Sequence, residues 1–189
     1  MCSMTLQNDK YFVEIGQDSS YAVGSSDNRR CDLVINPDNF CGRDMYKSLR
    51  ISVEGIRDAE LILVTDYQLP QGSFAILEED TLTVLHHDYI TQIDLSCMCA
   101  SSRQLDIVGT TFSLYRIADG YVIHGELEIL RLDDALQTVW QFSGKDAFVS
   151  ISGKESFALT EDSIRLNDFQ DNFYELDLDG QVLRMVVSE

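Results

Sequence analysis

Proline is nearly missing from this chain, with two among 189 residues, and so are the signals that start and stop helices. Pro37 and Pro70 both sit where an apolar run ends, positions at which a strand loses no ladder donor. Long apolar runs are missing too. Leu61-Ile-Leu-Val64 is typical of those present, far short of the roughly 20 residues that span a bilayer, so no membrane partner is expected. The first ten residues hold neither a basic nor an apolar stretch, which argues against a secretory leader and for a cytoplasmic protein. Positive charge is scarce: 14 Lys and Arg stand against 32 Asp and Glu, a formal net charge of −18. Such a field repels nucleic acid and anionic lipid and attracts basic surfaces. Cysteine occurs as an odd set, Cys2, Cys31, Cys41, Cys97 and Cys99, without the spacing of a disulfide framework, so free thiols are expected.

Motifs that carry chemistry are missing as well. There is no Gly-x-Ser-x-Gly elbow, no Gly-rich phosphate loop and no His-Glu-x-x-His pair. His86-His87-Asp88 and Cys97-Met-Cys99 offer soft ligands. Adjacent histidines in a strand point to opposite faces, however, and Cys-x-Cys is not a zinc-knuckle spacing. Turn histidines and buried thiols are the expectation. Glu175-Leu-Asp-Leu-Asp-Gly180 begins like a calcium loop, but its twelfth position is Val186 and both flanks read as strands. No catalytic residue, metal or cofactor is expected.

What is present is apolar alternation punctuated by Gly, Asn and Asp, the pattern of antiparallel strands. Tyr11-Phe-Val-Glu-Ile15, Tyr21-Ala-Val23, Cys31-Asp-Leu-Val-Ile35, Leu49-Arg-Ile-Ser-Val53 and Ala59-Glu-Leu-Ile-Leu-Val64 each read as strands. Arg43–Arg50, with Met45 and Leu49 four apart, reads as one short helix. A β unit then recurs. Phe74-Ala-Ile-Leu-Glu-Glu-Asp80 leads to Thr91-Gln-Ile-Asp-Leu95. Tyr115-Arg-Ile-Ala-Asp-Gly120 leads to Gln137-Thr-Val-Trp-Gln-Phe142, and Phe157-Ala-Leu-Thr-Glu-Asp162 leads to the hairpin at Asp179-Gly180. The spacing is roughly 40 residues, the length of one four-stranded unit. Over residues 73–185 these units resemble the blades of β-propeller proteins of the quinoprotein type. Three units cannot close a ring, so the expected fold is all-β: antiparallel meanders, sandwiched or stacked like repeats, in one domain over 1–189. Residues 1–72 would form a non-repeat β cap, and 73–189 about three meander units. Trp140 is expected on the inner face of its strand, and the alternation of Phe142, Phe148, Phe169 and Tyr174 with polar residues suggests core packing.

The function expected from this pattern is that of a non-enzymatic, acidic interaction protein, of the immunity or inhibitor type, that binds a basic partner. Asp168, Asp171, Glu175, Asp177 and Asp179 cluster in sequence and are the candidate partner-binding residues. Alternation places Glu175, Asp177 and Asp179 on one solvent side. Two other readings stand beside this one. A groove between repeats could bind or hydrolyse a small ligand or carbohydrate, or the chain could be a structural subunit that completes a propeller-like ring as a homo-oligomer.

Overall fold

A computed structural model describes residues 3–41, 46–65, 72–150 and 153–188. Among them there is no helix, and seventeen strands form four sheets. The all-β, stacked, repeat-like expectation holds. The short helix does not: Lys47–Arg50 belong to strand β4, and residues 42–45 lie outside the described residues. Leu49, Ile51 and Val53, all buried, set a period of two that overrides the single four-residue spacing of Met45 and Leu49. Tyr21–Val23 is a turn region rather than a strand. Asn28 clamps the Ala22 backbone, accepting from its N–H at 2.8 Å and donating to its C=O at 2.6 Å, so both groups are withdrawn from any ladder.

The chain divides into two compact units, 1–105 and 106–189. In the first, β1 (Ser3–Gln7), β2 (Tyr11–Gln17), β3 (Leu33–Ile35), β4 (Lys47–Gly55) and β5 (Ala59–Thr65) form a sheet of order β1-β2-β4-β5-β3. Its β3–β5 pair is parallel, the exception to an otherwise antiparallel fold. One face, with Val13, Ile15, Ile51 and Leu61 fully buried, packs on the meander β6 (Ala75–Glu78), β7 (Thr81–His86), β8 (Tyr89–Asp94) and β9 (Cys99–Gln104) through Phe74, Leu82, Val84 and Ile93. The second unit stacks two meanders. These are β10 (Thr111–Ile117), β11 (Gly120–Gly125), β12 (Glu128–Asp133) and β13 (Thr138–Ser143), then β14 (Phe157–Leu159), β15 (Ser163–Asn167), β16 (Phe173–Asp177) and β17 (Val182–Val186). Val122, Ile129, Phe148, Phe157, Ile164, Leu166, Tyr174 and Leu176 fill the space between them.

One turn recurs and sets the registers. An Asp or Asn at the first position accepts the N–H of the fifth residue, and the fourth residue is left-handed. In the β12–β13 turn the Asp133 carboxylate accepts from Gln137 N–H at 2.7 Å, with Leu136 at φ 60. In the β16–β17 turn Asp177 accepts from Gln181 N–H at 2.7 Å, with Gly180 at φ 83. Asp168 does the same for Asn172 at 2.9 Å, with Asp171 at φ 62, and Asn36 for Phe40 at 3.0 Å, with Asn39 at φ 54. The side-chain oxygen satisfies a backbone donor that the reversal leaves without a ladder partner.

Trp140 is half-buried rather than enclosed. It packs on the second unit's core, its indole N–H donates to Leu178 C=O at 2.9 Å, and its ring lies over Gly180, where a Cβ would come within 2.8 Å. Trp140→Ala should cost about 2–3 kcal/mol, less than a fully enclosed tryptophan, with native emission only partly blue-shifted. Gly180→Ala, which meets both the ring and a positive φ, should cost roughly 1–3 kcal/mol. Urea unfolding monitored by far-UV circular dichroism measures both.

Two buried histidines make stability depend on pH. His124 stacks on the Phe157 ring at 4.6 Å, meets the edge of Phe112 at 5.1 Å, and hydrogen-bonds Phe148 C=O through Nε2 at 3.2 Å. His86 hydrogen-bonds Thr91 Oγ1 through Nε2 at 2.8 Å. Burial pushes both down to about 4. Above pH 6.5 both are neutral folded or unfolded and contribute no pH dependence. As pH falls from 6.5 to about 4 the unfolded chain takes up protons that the folded chain refuses, so stability falls, by about 3 kcal/mol per histidine. Chemical denaturation between these pH values should show the loss, and His124→Phe should flatten part of it.

Candidate functional site

The five acids singled out in the sequence do not form one surface. Asp168 is fully buried. One oxygen accepts from Gln170 and Asn172 N–H, and the other from Asn172 Nδ2 at 2.8 Å and Tyr174 Oη–H at 2.9 Å. It therefore holds the β15–β16 reversal and is closed to a partner. Burial and the bond to Asp168 push the Tyr174 phenol up, so it keeps the proton it donates. Asp177 is the cap of the β16–β17 turn, receiving Asp179 and Gln181 N–H at 3.0 and 2.7 Å. Glu175 faces solvent as alternation requires, but its carboxylate is 2.9 Å from Arg165 Nε on the paired strand. Asp171 lies 3.3 Å from Lys154. Asp179 is exposed at the hairpin tip.

The motifs weighed for metal chemistry separate in space. His86 is buried in the core and stacks on Tyr89 at 5.8 Å, whereas His87 turns outward and sits 2.8 Å from Asp88. Cys97 and Cys99 are exposed, not buried as expected, because β9 is a polar margin strand and Cys97 lies in the turn before it. Cys31, Cys41, Cys97 and Cys99 are free thiols. Among the described residues no group of three or more His, Cys, Asp or Glu is placed to hold a metal ion. Phe148 and Tyr174 are core residues and Phe142 packs against them, while Phe169 is 46% exposed.

Two features escaped the sequence. On the solvent face of the first sheet, Asp32, Ser52, Glu54, Asp58 and Glu60 line a cleft of about 460 Å³. The register explains it: Ser52 pairs with Glu60 across β4–β5, and Asp32, 28 positions earlier, accepts the Glu60 N–H at 2.9 Å. Beside it Arg50 is clamped between Asp18 at 2.8 Å and Glu60 at 3.0 Å. Burial alone would raise the Asp18 carboxyl, but hydrogen bonds from Ser20 and Arg50 outweigh it and hold it below the usual range. The second feature is β17. Val182, Leu183, Met185 and Val186, with Val187 after them, are 41–60% exposed. The topology places β17 at the margin of its sheet.

Six of the 14 basic residues pair with acids within the fold. Lys10 pairs with Asp80, Arg50 with Asp18 and Glu60, Arg116 with Asp134, Arg131 with Asp119, Lys154 with Asp171 and Arg165 with Glu175. Arg184 lies over the Phe173 ring at 5.7 Å. The acids exceed them, so the uncompensated charge is negative.

No family model matches the chain, and no curated protein matches it in sequence. Solved structures do match in shape. BamB from Moraxella catarrhalis is 16% identical with a TM-score of 0.50, covering 90% of this chain and 51% of its own. A fragment of HIRA is 12% identical with a TM-score of 0.52, covering 97% and 52%. The AfRom2 CNH domain is 6% identical with a TM-score of 0.52, covering 100% and 55%. The chain spans about half the length of each. All three are β-propeller-type proteins, and this chain is similar to them in fold.

Proposed function

We propose that this chain is a cytosolic, non-enzymatic interaction protein whose acidic surface engages a basic protein partner, in the manner of an immunity or inhibitor protein. The observation that carries the reading is β17 with Val187 beyond it, where five large apolar residues interrupted by Arg184 stand 41–60% exposed and Arg184 is exposed as well. Contiguous exposed apolar surface of this kind marks contact with another macromolecule. Charge selects the partner's sign: with −18 overall, acidic and nucleic-acid surfaces are repelled and basic ones are drawn in.

A ring completed by a second copy stacked on the last sheet fits less well. The row Tyr115, Val122, Arg131, Trp140 crosses the β10–β13 sheet on the face that meets β14–β17. The corresponding row of the β14–β17 sheet is Ala158, Arg165, Glu175, Arg184. A further sheet packed there would bury three charges, a desolvation penalty of several kcal/mol.

The test is the salt dependence of partner binding. A partner captured on the immobilised protein and identified by mass spectrometry should associate about tenfold more slowly in roughly 0.3 M than in 0.05 M salt, with dissociation changed less than about threefold. Glu54→Gln with Asp179→Asn, both exposed, should slow association further at low salt while leaving the melting temperature unchanged. Asp177 is left intact in this test because neutralising it would loosen the turn it caps. Affinity that ignores both salt and these substitutions would leave the charge with solubility alone and remove the basic-partner reading.

A further inference from the structure

The three four-stranded sheets share one order, so β9, β13 and β17 hold the same place at a margin, each paired on one side only among the described residues. A marginal strand leaves a row of N–H and C=O groups facing water, and proteins guard such rows with polar or charged side chains, or by turning apolar ones inward. β9, Cys-Ala-Ser-Ser-Arg-Gln, has no large aliphatic or aromatic side chain. β13 turns Trp140 and Phe142 toward the core and leaves Val139 outside at 58%. β17 follows neither pattern. Val182, Leu183, Met185 and Val186 are 50%, 60%, 48% and 47% exposed, and Val187 beyond them is 41%. The register is regular from Arg184 to Val186, and the bulge is confined to the start of the strand. Its one charge, Arg184, lies over the Phe173 ring.

The surroundings favour one kind of occupant. Residues 106–189 contain 16 Asp and Glu against 6 Lys and Arg, and Asp179 is exposed at the hairpin tip that leads into β17. A second copy of the chain would bring another −18 to the same margin. We propose that the free margin of β17 accepts an extended segment of the partner, rich in apolar residues with Lys or Arg at its ends, as an added strand of the β14–β17 sheet. Main-chain hydrogen bonds to β17 supply the register, Leu183, Met185 and Val187 supply apolar contact, and the acidic flank selects the basic ends. The proposal rests on the basic-partner reading and adds the mode of attachment.

The experiment uses the full chain and three fluorescein-labelled peptides, read by anisotropy. The first alternates Val and Thr over six residues between Lys-Lys ends. The second has Glu-Glu ends. The third has the Lys-Lys ends and N-methyl groups on alternate residues, which remove the strand's donors while keeping its charge. The Lys-ended peptide should bind saturably below about 1 mM. The Glu-ended and N-methylated peptides, and the Lys-ended peptide against a Leu183→Lys, Met185→Lys variant, should each bind at least about tenfold more weakly. Both substituted side chains are about half-exposed or more, so an unchanged melting temperature is expected and certifies the fold. Equal binding of the N-methylated peptide overturns strand addition and leaves the basic-partner reading standing. Equal binding of the Glu-ended peptide overturns the basic-partner reading and the proposal with it. No saturable binding, or a dimer of the unliganded chain that the double variant dissociates in sedimentation, overturns the proposal.

Discussion

A short carboxylate-capped reversal is the constraint on which this fold depends. Antiparallel meanders work only if each strand turns back in the register that returns its apolar face to the core, since a slip of one residue moves every side chain to the other face. Asp133, Asp168 and Asp177 fix that register in the same way, each accepting the N–H of the residue four positions on while the residue before it takes a left-handed conformation. With the turns fixed, Val122 and Ile129 on one meander meet Ile164, Leu166, Tyr174 and Leu176 on the next, and the core of the second unit follows.

The same device changes how the charge is understood. A high acidic content suggests a dedicated binding face, yet several of the acids serve the backbone. Asp168 is fully buried among four donors, Asp177 and Asp133 close hairpins, and Asp94 caps the β8–β9 turn through Ser96 and Cys97, bonds that hold its carboxyl below the usual range. Others neutralise the few cations: Asp18 and Glu60 hold Arg50, and Glu175 holds Arg165. The surplus negative charge includes exposed acids such as Glu54 on the first sheet and Asp179 at the hairpin tip. Long-range attraction needs only that net surplus; in the proposed reading, specificity comes from the exposed apolar strand β17.

Alternation and turn chemistry, which are local, determined by themselves that this chain is all-β, that it meanders in units of roughly 40 residues, and that Asp179-Gly180 closes a hairpin. Leu49, Ile51 and Val53 declare their strand by period alone, and the repeated units carried the likeness to propeller blades. Local pattern also misled where one helical spacing, Met45 to Leu49, was set against a period of two that continues past residue 50, and at Tyr21–Val23, where a distant side chain, Asn28, takes the backbone groups a ladder would need. The site was legible only in sign. Net charge is a sum over residues and needs no structure, but which acids are free depends on partners far apart in sequence: Arg50 finds Asp18 across 32 residues, and Tyr174 closes over Asp168 only once β15 and β16 pair. Likewise the apolar residues of β17 carry no local mark of exposure. Only tertiary structure decided that β17 is the last in its sheet, because exposure is a property of what packs against a strand and not of the strand itself.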